Sequence, residues 1–335
     1  MKRNMKQWVN DTINSPVKKA LPVLSFPAIQ LMNITVRDLI SDSDLQAEGM
    51  KRVADSVDSA ATVSLMDLSL EAECFGSEIR FSDEEVPTVI GSIVSTEEEA
   101  EALQIPEIGA GRTSIYIGAI EKAVKLIEDR PILAGAIGPF SLAGRLMDVS
   151  EAMVYCYEEP DMVHIVLEKV TEFITKYALE YKRIGANGIV LAEPLAGLLS
   201  PALAEEFSAE YVKKIVDAVQ DDEFIVVYHN CGNSTIPQID SIVKTGCPFL
   251  HFGNAINMAE MLPLIPSNIL VGGNIDPSSQ FRNGTVESIK AATKSVMEAC
   301  CKYPNFVISS GCDIPPMSKW ENINAFFDTV KEFYQ

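Results

Sequence analysis

Short apolar runs rich in β-branched residues alternate along the chain with longer segments in which apolar positions recur at helical spacing. The apolar runs begin near residues 21, 60, 131, 189, 224, 249, 269 and 306. Runs without polar alternation are typical of strands that are buried on both faces of a parallel sheet. Eight such strands in a chain of 335 residues, most of them separated by a helical segment, predict an α/β fold: a single (β/α)8 TIM-type barrel.

The segments around these runs complete the predicted fold. Apolar positions at helical spacing predict an N-terminal helical extension over residues 1–15 and a further helix over 38–57. Residues 21–26 (LPVLSF) are predicted as the first strand, and 78–81 with 88–90 as a hairpin. No linker rich in Pro, Gly or Ser interrupts the chain, so we expect one barrel domain over residues 1–335.

Composition narrows the classes of partner and compartment. The chain has 47 acidic and 27 basic residues and a formal net charge of −20, which argues against a nucleic-acid or anionic-membrane partner, because both need basic surfaces. It has no apolar run of about 18 residues for a membrane span, and no apolar core of a signal peptide near its start. Its seven cysteines lack the spacing of a disulfide framework, so we expect a reduced, cytoplasmic setting.

Metal-binding residues follow two of the predicted strands. The fifth apolar run ends at Tyr228 and is followed by His229 and Cys231, and the eighth run ends shortly before Cys312. One imidazole and two thiolates suit Zn²⁺, and three protein ligands leave a fourth position open for chemistry. Because the carboxyl ends of barrel strands meet at one mouth, the distance between these residues in the sequence is no obstacle. The alternative is a set of separate buried cysteines, which are common in cores.

Other polar residues at strand ends are candidates for the same mouth. Glu193 ends the fourth strand, where it would be a fourth metal ligand displaced by substrate, a hydrogen-bond partner of the His229 ring, or a cap on the following loop. Asn274 and Asp276 follow the seventh strand and would contact substrate, although their loop fits turn chemistry equally well. His251, on the sixth strand, would line the mouth or serve as a hydrogen-bonded core histidine.

Four longer stretches resemble a known family. They are residues 75–89 (FGSEIRFSDEEVPTV), 132–144 (ILAGAIGPFSLAG), 185–201 (GANGIVLAEPLAGLLSP) and 273–284 (GNIDPSSQFRNG). With them the chain resembles the uroporphyrinogen decarboxylase superfamily over nearly its whole length. The decarboxylases of that superfamily carry an arginine-bearing motif after the first strand, whereas residues 25–30 here are SFPAIQ. Porphyrinogen decarboxylation is therefore not expected.

Two short motifs resemble one branch of that superfamily. The HNC of residues 229–231 and the SGC of residues 310–312 are similar to the zinc-ligand pattern of the corrinoid methyltransferases that methylate a thiol such as coenzyme M. The resemblance implies that His229, Cys231 and Cys312 are zinc ligands. It also implies methylcobalamin as methyl donor, expected on a separate corrinoid protein because no segment of the chain is left for a corrinoid-carrying domain.

The implied chemistry is the methylation of a small-molecule thiol. A thiol with a pKa of about 8.5 is mostly protonated at neutral pH, and coordination to zinc would deprotonate it so that its sulfur attacks the methyl group. Coenzyme M and homocysteine both fit as acceptor. The alternatives are a uroporphyrinogen decarboxylase-like decarboxylase, which needs no metal, and a non-catalytic corrinoid or tetrapyrrole-binding protein, which would not consume methylcobalamin.

Overall fold

Seven parallel strands form the central sheet of the computed structural model, which describes residues 2–335. In the order in which they neighbour one another they are β1 (Thr62–Val63), β4 (Ile132–Ile137), β5 (Gly188–Ala192), β6 (Ile225–Asn230), β7 (Phe249–Phe252), β8 (Leu270–Ile275) and β9 (Phe306–Ser310). Their spatial order follows the sequence, and the curled sheet with its surrounding helices is a TIM-type barrel, as predicted. Two short strands, β2 (Glu78–Arg80) and β3 (Thr88–Ile90), form the predicted antiparallel hairpin.

Helices follow most of the strands. The α-helices are α1 (Met5–Asn14), α2 (Ala28–Met32), α3 (Val36–Ser41), α4 (Ser43–Ser56), α5 (Leu70–Cys74), α6 (Glu97–Ala102), α7 (Thr113–Leu126), α8 (Pro139–Met147), α9 (Val149–Glu158), α10 (Pro160–Arg183), α11 (Pro201–Ala204), α12 (Glu210–Val219), α13 (Ile239–Lys244), α14 (Met258–Met261), α15 (Val286–Cys300) and α16 (Trp320–Phe333). Short 3-10 or π segments occupy Leu195–Leu198, Glu205–Ala209, Ile236–Gln238, Leu262–Leu264 and Pro277–Arg282. Of the helices within residues 2–335, none combines the length and the apolar composition needed to cross a membrane.

The differences from the predicted helices have local causes. The helix predicted over 38–57 is divided into α3 and α4, because Asp42 is extended and its side chain accepts hydrogen bonds from the amides of Asp44 and Leu45. The sequence pattern does not predict α8, in which every residue except Arg145 is buried. A helix buried on all sides lacks the polar face that makes an amphipathic helix recognisable.

An extended segment, not a strand, completes the barrel. The prediction of a strand over 21–26 is wrong in this respect: the segment joins no ladder, although the Leu21 amide donates to the Ile308 carbonyl (3.0 Å) and the Ala60 amide donates to the Ala20 carbonyl (2.9 Å). Pro22 removes one backbone donor, and the Val23 amide donates to the Ser310 hydroxyl instead of to a carbonyl (3.0 Å). The segment therefore lies between β9 and β1 and takes the eighth place in the ring.

The N-terminal helix α1 covers the amino-terminal end of the barrel. Its apolar side chains Met5, Val9 and Ile13 are buried in one cluster with barrel residues that include Leu133 and Val227. The spacing of four residues places the three side chains on one face of the helix. Since this end is filled by apolar side chains, the polar groups that could serve chemistry lie at the carboxyl ends of the strands.

Candidate metal centre

Three predicted ligands meet at the carboxyl ends of β6 and β9. His229 lies near the end of β6, Cys231 follows that strand, and Cys312 lies two residues beyond β9. A ring nitrogen of His229 and the Sγ atoms of Cys231 and Cys312 all lie within 4.8 Å of one another. The sequence predicted this meeting from the geometry of barrels, because strand ends far apart in the chain share one mouth.

The donor set and its spacing fit zinc. Typical Zn–N and Zn–S bonds of about 2.1 and 2.3 Å at a tetrahedral angle place the nitrogen and sulfur about 3.6 Å apart. The distance from His229 Nε2 to Cys312 Sγ is 3.6 Å. Close packing holds the third ligand, because a Cβ atom at Gly253, in the loop after β7, would clash with Cys231. The three residues can thus act as three ligands of a tetrahedral ion.

The two thiols share a proton before any metal binds. The hydrogen bond from Cys312 lowers the pKa of Cys231, while that same pairing, together with burial, raises the pKa of Cys312 to about 12. A metal ligand must be a thiolate, so metal binding has to displace this proton. Of the two thiols, Cys231 therefore becomes a thiolate more readily, and Cys312 has to lose the shared proton before both can bind a cation.

His251 lies behind the metal ligands and not in the mouth. Its Nδ1 atom is 2.8 Å from His229 Nδ1, and its Nε2 atom is 2.6 Å from the Ser309 hydroxyl. The Ser309 hydroxyl donates in turn to the Leu21 carbonyl (2.7 Å). Burial, followed by the neighbouring His229, lowers the pKa of His251 well below its usual value, so the ring is neutral. Of the two predicted roles, the hydrogen-bonded core histidine agrees with this placement.

Glu193 is turned towards a helix. One of its carboxylate oxygens accepts from the Phe140 amide (2.7 Å), and the other accepts from the Ser141 amide (3.2 Å) and hydroxyl (2.9 Å), so the group covers the first turn of α8. The side chain is fully buried, and burial raises its pKa to about 8. The ring of His229 is hydrogen-bonded to His251 and not to the Glu193 side chain. The hydrogen bond between Glu193 and His229 is a backbone one, from the Glu193 amide to the His229 carbonyl (2.8 Å).

Asn274 and Asp276 organise the loops after β7 and β8. The Asn274 side-chain amide donates to the carbonyls of Gly253 (2.9 Å) and Ile256 (2.6 Å). One Asp276 carboxylate oxygen accepts from the amides of Ser278 and Ser279, both at 2.9 Å. Asp276 thus has the turn role that the sequence left open beside substrate contact, whereas Asn274 holds the neighbouring loop after β7.

A buried acidic cluster after β1 is absent from the sequence-based candidates. Arg112 binds the carboxylates of Asp67 and Glu73, each at 2.6 Å, and the Tyr116 hydroxyl donates to Asp67 (2.9 Å). Nearby, Glu71 accepts from the Ile137 amide at the end of β4 (3.0 Å), and burial raises its pKa to about 8. No local motif marks these residues, because the pairs join distant segments of the chain.

Arg145, in a cavity near the metal ligands, is a second residue that is absent from the sequence-based candidates. The lining of this cavity includes Met66, Leu68, Arg145, Arg282 and Asp313, the residue after Cys312. Arg145 is the only charged residue between 131 and 147, and a lone charge in an apolar stretch is the signal that would have found it.

Comparison with known sequences finds similarity to two kinds of enzyme. Residues 17–333 match the family model described as uroporphyrinogen decarboxylase (URO-D). Methylcobamide:CoM methyltransferases from Methanosarcina mazei and Methanosarcina acetivorans are each 29% identical over 276 residues, covering 80% of this chain and 78% of the relative. A uroporphyrinogen decarboxylase from Alcanivorax borkumensis is 24% identical over 314 residues, covering 89% of this chain and 86% of that protein. The predicted resemblance is confirmed.

Solved structures support the fold. A methyltransferase from Methanosarcina mazei superposes with a TM-score of 0.86 at 24% identity and covers 99% of both chains. A B12-independent methionine synthase from Shewanella sp. W3-18-1 has a TM-score of 0.62 at 11% identity, covering 95% of this chain and 98% of that one. At these identities the likeness concerns the fold, and it agrees with the barrel seen here.

Proposed function

We propose that this chain, which belongs to the uroporphyrinogen decarboxylase family, is a zinc-dependent methyltransferase that moves a methyl group from a methylated corrinoid to a thiol. The observation that carries the proposal is the cluster of His229, Cys231 and Cys312, whose ligand atoms lie within 4.8 Å of one another at the strand ends. The relatives named methylcobamide:CoM methyltransferases also match at higher identity, 29%, than the Alcanivorax decarboxylase, 24%.

The reaction balances with two reactants. The cobalt–carbon bond of the methylated corrinoid breaks and leaves its electron pair on cobalt, the thiol sulfur bonds to the methyl carbon, and the thiol proton leaves to solvent. Zn²⁺ bound by His229, Cys231 and Cys312 would lower the pKa of a coordinated thiol, so that it is a thiolate at neutral pH. The methyl donor, methylcobalamin, belongs in this proposal to a separate corrinoid protein in the cytoplasm.

The sequence of residues 25–30, which follow the first predicted strand, argues against a decarboxylase. Residues 25–30 contain no arginine for substrate carboxylates. Gln30 fills the place with a neutral amide that donates to the carbonyls of Pro316 (2.8 Å) and Ser318 (2.7 Å), beyond β9. Gln30 thus connects α2 to the loop after β9, and the segment offers no positive charge to a porphyrinogen.

The cavity next to Asp313 favours an acceptor thiol that carries an anionic group. Arg282 in this cavity is paired with Glu85 (2.8 Å), whereas Arg145 makes no side-chain hydrogen bond or ion pair to any residue of 2–335, and its Nε atom is buried. In a chain with 47 acidic and 27 basic residues, a shielded arginine without an acidic partner indicates that its anion comes from a ligand. Both acceptors considered above, coenzyme M with its sulfonate and homocysteine with its carboxylate, meet this requirement.

The experiment combines metal analysis with an assay of methylcobalamin consumption. Wild type is expected to hold about one zinc ion per chain and to methylate a thiol with loss of the methylcobalamin spectrum. Cys312→Ala should lose most of both, whereas Cys301→Ala, which removes another half-buried thiol, should lose neither. Retention of zinc and thiol methylation by Cys312→Ala at wild-type levels would overturn the proposal. Metal-free wild type would favour the decarboxylase alternative, and zinc without methylcobalamin consumption would favour the non-catalytic binder.

A further inference from the structure

We propose that His251 is a positioning residue of the metal site, which holds the His229 ring in the tautomer whose Nε2 lone pair is free for the metal. The inference rests on the proposed function and adds a residue that acts through a ligand without touching metal or substrate. It is carried by a line of three hydrogen bonds that runs from His229 through His251 and Ser309 to the backbone of Leu21.

The direction of this line follows from its last member. A backbone carbonyl only accepts, so the Ser309 hydroxyl spends its single proton on the Leu21 carbonyl (2.7 Å). Ser309 must then accept from His251 Nε2, 2.6 Å away, which places the proton of the His251 ring on Nε2.

The same bookkeeping fixes the ring of His229. The Nδ1 atom of a neutral His251 with its proton on Nε2 can only accept. His229 Nδ1, 2.8 Å away, therefore donates to it, and the remaining lone pair of His229 lies on Nε2. That atom is the one 3.6 Å from Cys312 Sγ. The Leu21 carbonyl, in the segment between β9 and β1, thus selects the tautomer that a metal needs.

Strand geometry shows why this line can form. His251 on β7 is the register partner of His229 on β6, but Ser309 lies on β9, with β8 between. The β8 residue opposite His251 is Gly272, and a Cβ atom there would come within 3.0 Å of the His251 ring. The missing side chain leaves room for the imidazole to pass over β8 and reach Ser309. The three contacting residues are almost fully enclosed: His229 is 3% exposed, His251 2% and Ser309 0%.

Because these three residues are enclosed, the loss of His251 should weaken metal binding by His229. If the acceptor at residue 251 were removed, the His229 Nδ1–H would be buried without a partner, and water could not replace the lost hydrogen bond at low cost. The ring would gain by turning or by moving its proton to Nε2, and either change removes the nitrogen lone pair from the metal position. Loss of partners of this kind typically weakens metal affinity by about 10- to 100-fold.

The test is the zinc dissociation constant, measured by competition with a chromophoric chelator, alongside the urea midpoint of the metal-free protein. His251→Leu should bind zinc about 10- to 100-fold more weakly than wild type. His251→Asn, whose Oδ1 can take the place of Nδ1 as acceptor, should restore most of that affinity. Ser309→Ala should weaken binding from a distance, because His251 is then free to place its proton on Nδ1. His164→Asn, which changes the histidine paired with Tyr211 on the outer helices, should leave the affinity unchanged.

The outcomes separate the possible failures. If His251→Leu and Ser309→Ala bind zinc with wild-type affinity, the role of His251 is wrong although the metal site stands. The same holds if His251→Leu and His251→Asn lose equal affinity, because a histidine with a merely structural role would not be replaced by another hydrogen-bond acceptor. Replacement of zinc by Co²⁺ gives a second readout: the thiolate-to-cobalt absorption should survive in His251→Asn and weaken in His251→Leu at equal cobalt concentration. Absence of zinc from wild type would instead overturn the metal site itself, and with it this inference.

Discussion

Replacement of Glu193 should destabilise the fold without emptying the metal site. The carboxyl group accepts from the Phe140 and Ser141 amides and the Ser141 hydroxyl. These amides belong to the first turn of α8, where backbone N–H groups have no partner within the helix. All of these atoms are enclosed, so a lost acceptor is not replaced by solvent. The sequence alone left a metal-ligand role open, and this variant separates the two roles.

The expected magnitudes follow from counting the acceptors. Glu193→Gln keeps one carbonyl oxygen for Phe140, but its amide nitrogen cannot accept from the Ser141 N–H, and one unsatisfied buried donor costs about 1–3 kcal/mol. Glu193→Ala leaves both amides without an acceptor and opens a cavity, so its loss should reach about 3–5 kcal/mol. Ser141→Ala removes a hydroxyl that donates to Glu193 and accepts from the partly buried Leu195 amide (3.2 Å), and it should cost about 1 kcal/mol.

Urea unfolding at pH 7 measures the stability of the three variants, and chelator competition measures their zinc affinity. We expect stability to fall from wild type through Ser141→Ala and Glu193→Gln to Glu193→Ala, with the zinc dissociation constants of folded protein within about threefold of wild type. If Glu193→Gln unfolds at the wild-type midpoint but binds zinc at least tenfold more weakly, the carboxylate reaches the metal and the assignment to α8 is wrong.

Two further predictions concern the groups around the mouth. Arg145→Gln should raise KM for coenzyme M by about 10- to 100-fold, which corresponds to the loss of a charge-assisted hydrogen bond. The KM for 2-mercaptoethanol, which has no anionic group, should not change. Steady-state kinetics measure both values, and Arg282→Gln is the control because Glu85 already pairs with that arginine. Equal effects on both thiols would contradict the role. Burial raises the pKa of Glu71 to about 8 from its usual 4.5, so the native state binds more protons than the unfolded chain between these values, and stability falls as pH rises through that window. Glu71→Gln should remove this share of the fall, at most about 5 kcal/mol above pH 8, and a pH series of urea midpoints as steep as that of wild type would refute it.

The sequence was sufficient to predict those elements whose local residue pattern is typical of a strand or a helix. Apolar runs located the seven strands of the sheet. The apolar positions in residues 160–183 recur at helical spacing and predict a helix, which has the bounds of α10. Residues 21–26 have the same apolar character, but Pro22 lacks a donor and prevents a ladder, so the run becomes an extended segment. The buried helix α8 was invisible for the opposite reason, because apolar residues on all sides leave no period to detect.

The metal site was predictable only to its first layer. His229, Cys231 and Cys312 could be brought together in advance because parallel barrel strands share one mouth. The pairing of His229 with His251 depends instead on the register of β6 against β7, and the approach of His251 to Ser309 depends on the gap at Gly272. These relations involve residues far apart in sequence, and no local pattern encodes them. Whether residues 1–335 form one domain stays a prediction.

Zinc should also stabilise the closed barrel. The ligands come from the ends of β6 and β9. The His229 ring is hydrogen-bonded through His251 and Ser309 to Leu21, in the extended segment that lies between β9 and β1. Of the three ligands, only His229 and Cys231, which are two residues apart, are close enough in the unfolded chain to bind one ion together, so the ion favours the native state. At free zinc 100 times the dissociation constant the gain is about 2.7 kcal/mol.

The prediction is checked by the urea midpoint with and without zinc, for wild type and for Cys312→Ala. Wild type should shift to higher urea in proportion to the logarithm of free zinc once the site is saturated, and Cys312→Ala should shift little. An equal shift in both proteins would mean that zinc acts elsewhere on the chain. No shift in a wild type that demonstrably holds zinc would mean that the unfolded chain binds the ion as well as the barrel does, and that the ligands are not brought together by folding.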